Sequence, residues 1–159
     1  MTHDDGGTAA VTTIVMLPLL LVVLVGVLEL GALRAVAYRA GAAADLATIV
    51  AVNDQDPGEL VRTGTLRLAV DAAETAREYF ARNLSATAPA LAAGAAEIAA
   101  AADIATFAAA PSVDPRTGAR YDRPTVRLIA TVPVRTPGFA MVLMPGVTTI
   151  VIRSASSAR

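Results

Sequence analysis

The sequence predicts an α+β fold in which a long N-terminal helix and a second helix carry a small C-terminal antiparallel sheet. Three patterns predict it. No charged residue occurs from Gly6 to Leu28. Beyond that stretch, apolar or small residues recur in steps of three and four at Leu33, Val36, Ala40, Ala43, Ala47 and Val50, which trace one face of a helix. Near the C-terminus, Val126, Leu128, Ala130, Val132 and Val134 alternate with Thr125, Arg127 and Thr131, the signature of a half-buried strand.

The first helix is organised by residues 11–28, which are almost wholly apolar. At 1.5 Å per residue these 18 positions cover about 27 Å, close to the hydrocarbon thickness of a bilayer. A membrane anchor is therefore expected, and the amphipathic stripe that follows predicts that the helix does not stop at the membrane edge. One continuous helix over residues 8–52, about 65 Å long, is the simplest reading. Residues 53–58 break the pattern. Asp56 suits an N-cap, Pro57 the first helical position and Glu59 the capping-box position. A second helix is predicted from Pro57 to about Ser85, burying Val61, Leu68, Ala72, Ala76, Phe80 and Leu84. Arg62, Arg67, Glu74, Glu78 and Arg82 form its solvated face, and Pro89 closes it.

Residues 90–110 fit either helix or strand: alanine favours helix, whereas Ile98, Ala100, Ala102, Ile104 and Thr106 alternate. Residues 111–124 hold three prolines and a glycine and predict a turn-forming loop. Pro133 inside the following strand requires an unpaired side there, at an edge or a bulge. A short apolar link over 138–145 leads to a second β-branched strand over 146–154, with 156–159 expected to fray.

Composition narrows the function. With the anchor set aside, about 125 residues remain, enough for one modest domain. The expected division is a leader-like segment over 1–7, a transmembrane helix over 8–33 and a small extracytoplasmic α+β domain over 34–159. The 159-residue chain is 55% hydrophobic but only 4% aromatic. Its core outside the membrane is therefore thin, and its helices must approach closely. A formal charge of −1, with 13 basic residues that are all arginine and scattered, argues against nucleic-acid binding. Absence of cysteine excludes disulfides and thiolate metal sites.

The single histidine, His3, sits in a terminal segment, so the usual nucleophile–base pairs are missing and no enzyme is expected. No catalytic, metal or cofactor residue is assigned. Asp103, Asp114 and Asp122 read as turn residues, because their spacing lacks the dense oxygens of a calcium loop. Glu29 is the one ionisable side chain beside the apolar segment. About 27 Å along the helix from Val11, it reads either as an interface residue or as a subunit contact. Gly26, Gly31, Ala37 and Gly41 would permit close helix approach, within the chain or between chains.

Four words along the first third of the chain carry a resemblance. They are Gly6-Gly7-Thr8-Ala9-Ala10-Val11, Met16-Leu17-Pro18-Leu19-Leu20, Gly26-Val27-Leu28-Glu29-Leu30-Gly31, and the alanine-rich run from Ala40 to Ala47 with its Asp45. In this order they resemble the TadE/TadG-like proteins of tight-adherence (Flp) pilus systems, relatives of type IV pilins and pseudopilins. The resemblance implies a pilin-like fold and a structural, pseudopilin-like (minor pilin) role exerted through helix–helix packing. It implies as partners other pilus-assembly or pilin-like subunits, the lipid bilayer and a prepilin peptidase, with no cofactor. The peptidase would cut between Gly7 and Thr8. The family's usual glutamate, fifth after the cut, pairs with a neighbour's new amino terminus; here that position is Thr12, whose hydroxyl cannot neutralise an ammonium at low dielectric. A minor or non-polymerising component fits this better than a major pilin. Pro18, Gly26, Glu29 and Gly31 would then belong to the packing surface.

The resemblance also implies a single-pass protein of the bacterial cytoplasmic (inner) membrane with its domain outside. Arg34 and Arg39, which follow the span where nothing basic precedes it, favour the opposite orientation. A cleaved signal peptide with Ala35-Val36-Ala37 as its site is a third option. The alternative function is a bitopic tether or scaffold whose small domain binds another envelope protein.

Overall fold

The computed structural model describes residues 5–65 and 67–158, with side chains from Thr12 onward. Helix α1 runs unbroken over Asp5–Asn53, 49 residues and about 73 Å. It starts before Thr8, so Gly6 and Gly7 lie within it; residues 1–4 of the leader-like segment lie outside the described residues. Pro18 sits inside the helix, where its missing N–H removes one bond of the ladder. The stripe expected from the sequence is the face that packs: Val36, Ala40, Ala43 and Ala47 are buried, Leu33 and Val50 half-buried, and Arg34, Arg39 and Asp45 exposed.

The second helix is two helices. α2 (Pro57–Thr63) begins as expected, with Asp56 Oδ1 accepting from the backbone N–H of Gly58 and Glu59. Glu59 does not complete a capping box but pairs with Arg62. Gly64 ends α2 in the left-handed region, φ 69°, with its N–H on the Leu60 carbonyl. This conformation carries no steric cost for glycine, which has no Cβ, and turns the chain out of the helix. Val61 is consequently exposed, not buried as the single-helix reading requires. Leu68 pairs back onto Gln55 before α3 (Ala72–Leu84) resumes, burying Ala72, Ala76, Phe80 and Leu84. Pro89 lies within a 3-10 turn, Ser85–Ala90, that continues from α3. The ambiguous residues 90–110 are both things in succession: α4 (Ala95–Ala100), then strand β1 (Asp103–Phe107).

The proline-rich loop contains a two-residue ladder, β2 (Ser112–Val113) with β3 (Arg120–Tyr121). β4 (Thr125–Arg135) and β5 (Val147–Ser157) pair antiparallel over their full lengths, and β1 pairs with the first half of β4. Sheet order is β1-β4-β5. β4 is thus flanked by two strands at one end, while at the other its β1 side is met only by an isolated bridge from Leu91 to Val134, with the Ala92 N–H on the Pro133 carbonyl. Pro133 lies beyond the end of β1, as its missing donor demands. The apolar link contains a short helix, α5 (Pro137–Met141).

β5 does not fray where expected. Ser156 and Ser157 pair with Val126 and Thr125, and Ala158 is buried with its N–H on the Pro124 carbonyl; Arg159 lies outside the described residues. Hydroxyls hold this end. Thr48 of α1 lies 3.0 Å from Ser154 and 2.9 Å from Ser156, and Ser154 donates to Asp45 at 2.7 Å. The core sits between the second half of α1, α3 and the inner face of the sheet, where Leu128, Ala130, Val132 and Val134 join the alanines of α1.

Candidate functional site

Thr12–Asn53 contains the one stretch among the described residues that is long and apolar enough to cross a membrane, with a mean hydropathy of 2.7 and none of that window buried. From Ile14 to Leu24 every large apolar side chain faces outward. By length and composition this surface is suited to contact with lipid or with other apolar helices. Thr12 is exposed near the start of this surface. Gly7 and Thr8 lie in the helical backbone, but their side chains lie outside the described residues.

Gly26, Gly31 and Gly41 each have open space where a Cβ would stand. Their small size is therefore not required by packing within the chain. Glu29 is different. A Cβ on Gly138 of α5 would come within 2.6 Å of the Glu29 carboxylate and 3.1 Å of Val25. Glu29 is thus half-buried against the chain's own α5, and it also lines an open cleft of about 620 Å³ with Ala32, Pro89, Arg135 and Val147.

The position of α5 follows from element lengths. β4 and β5 each have 11 residues, about 37 Å of extended chain. At one end of this hairpin Val126 packs in a cluster with Ala51, Val52 and Ala158. From Val52 back to Glu29 is also about 35 Å of helix. The β4–β5 connection is therefore carried to the level of Val25 and Glu29, where the exposed apolar surface of α1 ends.

A second constellation lies on the outer face of the sheet, where alternation predicts that Arg127 meets solvent. Arg127 is buried instead. Its Nη1 donates to Asp103 at 2.9 Å, and its Nε lies 2.9 Å from Asp114 Oδ2, too poorly aligned for a hydrogen bond, so that contact is coulombic. Arg116 also pairs with Asp103. Asp114 is fully buried and holds the β2–β3 turn by accepting from the Arg116 N–H and the Thr117 hydroxyl. The Arg127 hydrogen bond keeps the Asp103 carboxyl below the usual carboxylate range, and the Thr117 hydroxyl, ahead of the other contacts, does the same for Asp114. Asp122 is exposed. Two of the three aspartates noted in the sequence thus converge on one arginine, as a clasp between the hairpin and the sheet.

Comparison of the chain with protein-family models, with curated proteins and with solved structures gives no match. Function is therefore read from the chemistry of these surfaces. Sequence reasoning missed Arg127 and α5. The signal for α5 was present, because residues 136–152 contain no charge at all. What was lacking was its level along α1.

Proposed function

We propose that this protein is a membrane-anchored, pseudopilin-like structural subunit of a tight-adherence (Flp) pilus or a related secretion apparatus, acting by helix–helix packing. The observation that carries the reading is the division of α1. From Ile14 to Leu24 it presents apolar side chains on all sides, while its second half, without a break, forms the spine of a small α+β head. One rigid rod thereby serves as anchor and assembly surface. The open positions at Gly26 and Gly31 support close approach by a neighbouring helix. The resemblance of about residues 6–52 to TadE/TadG-like proteins supplies the apparatus. It also supplies residence in the bacterial inner membrane with the head outside.

Processing tests the reading. Coexpressed with a prepilin peptidase, the chain should yield mature protein beginning at Thr8, seen by intact-mass spectrometry. An unchanged N-terminus would favour the bitopic tether. Sidedness is tested separately. The native chain has no thiol, and Ala109 is exposed at the end of the head remote from Glu29. An Ala109→Cys variant should react with a membrane-impermeant maleimide in intact spheroplasts. Reaction only after lysis would place the head in the cytoplasm.

A further inference from the structure

The connection between β4 and β5 is apolar and outward-facing. Met141 is 80% exposed, Leu143 98% and Met144 54%. This is not a frayed segment. Its base is closed by Thr136, whose N–H and hydroxyl donate to the carbonyls of Gly146 and Pro145 at 2.8 and 2.9 Å. Its tip is closed by the Met144 N–H on the Phe139 carbonyl at 2.9 Å. Within this tied loop Leu143 adopts φ 61°, a left-handed conformation that branched, bulky side chains avoid. A backbone that holds leucine in an unfavourable conformation, and gains no burial inside the fold for it, points to a contact outside the fold.

The level of the loop says what that contact is. α5 packs on α1 beside Val25 and Glu29. At that height Leu24, Val27, Leu28 and Leu30 of α1 are exposed as well, so the loop continues the apolar band of the helix sideways. Val25 lies four residues, about 6 Å, below Glu29. That matches the 5–10 Å to which interfacial elements sink into the headgroup–acyl boundary. Arg135 is exposed at the base of the loop and lines one cleft with Glu29, which places charge where the headgroups would be. Methionine and leucine side chains adapt to a fluid apolar surface without a shaped pocket.

We propose that the α5 loop is a second membrane-contacting element, with Met141, Leu143 and Met144 immersed in the boundary of the bilayer that α1 crosses. The inference rests on α1 being a membrane span. The head is then seated on the bilayer at two points, which fixes its tilt and rotation about the anchor. A neighbouring subunit meets the head in a set orientation.

The test uses single-cysteine variants of the full chain carrying an environment-sensitive NBD probe in phosphatidylcholine–phosphatidylglycerol nanodiscs. The positions are Leu143→Cys, Val27→Cys in the span and Ala109→Cys at the remote end. Lipids spin-labelled near the headgroup should quench the Leu143 probe several-fold more than the Ala109 probe, and aqueous iodide should do the reverse. Iodide quenching of Leu143 equal to Ala109, with Val27 still quenched by lipid, overturns the loop contact and leaves the span intact. A Val27 probe that lipid does not quench overturns the span and the proposal together. A Leu143 probe shielded from both quenchers, in proportion to the number of chains per disc, assigns the loop to a second copy and overturns the proposal.

Discussion

Replacing Phe80 by alanine should destabilise the head by about 4 kcal/mol, one of the two largest losses expected from any single substitution in this chain. Phe80 is the only aromatic side chain with no exposure among the described residues. It belongs to one buried cluster with Ala40, Ala44 and Ala47 of α1 and Ile98 and Ala99 of α4. Alanine methyl groups have no rotamer with which to swing into a void, so the cavity left by the ring cannot collapse. A head of this size has a total stability of about 5–15 kcal/mol, so the loss is a large fraction of it. Urea unfolding of the full chain in detergent micelles, followed by circular dichroism, measures it. Phe80→Leu keeps most of the volume and should cost less than about 1.5 kcal/mol. Equal losses for the two variants would show that the ring does not fill the role assigned to it.

The same alanine-rich chemistry decides what was legible in the sequence. Spacing identified the buried stripe of α1 from Leu33 to Val50, because an alanine buried on a helix repeats as strictly as a leucine. Alternation likewise identified the inner face of β4, and Pro133 located the point where that strand loses a neighbour. Periodicity is blind to interruptions that cost one residue. Gly64 falls inside the single helix predicted from Pro57 and is instead the C-cap of α2, since nothing local distinguishes a tolerated glycine from one at φ 69°. Periodicity also says which face a residue occupies, not what covers that face. Arg127 was correctly placed opposite Val126 and Leu128. Its burial depends on Asp103 and Asp114, 24 and 13 residues earlier, being folded onto that face by β1 and the β2–β3 hairpin. The α5 loop was visible as apolar chain, but its level beside Val25 emerges only from matching strand length to helix length across the fold.

Arg127→Met tests the clasp. Methionine keeps the unbranched length but removes the charge from a buried ion pair, which costs about 3 kcal/mol or more because a carboxylate is left behind without its partner. Acid should reveal the origin of the loss. In the folded state the carboxyls of Asp103 and Asp114 are held below the usual carboxylate range, Asp103 chiefly by the Arg127 hydrogen bond and Asp114 chiefly by the Thr117 hydroxyl. The unfolded chain therefore binds protons more readily, and stability rises with pH across this window. The contribution of the two carboxylates is fully present above about pH 4 and is lost as the pH falls through their lowered values. In Arg127→Met the cation that lowers Asp103 most is gone, and protonation of a stranded Asp114 relieves part of the penalty. The gap between the native chain and the variant should therefore be widest near neutral pH and shrink toward pH 3. Arg127→Lys, which keeps the charge but not the fork that reaches both aspartates, should fall between them. Adding Asp114→Asn to Arg127→Met should recover part of the loss, since it removes the uncompensated charge. A urea midpoint lowered equally at pH 7 and pH 3, with no recovery in the double variant, would mean that Arg127 supports the hairpin by its volume alone.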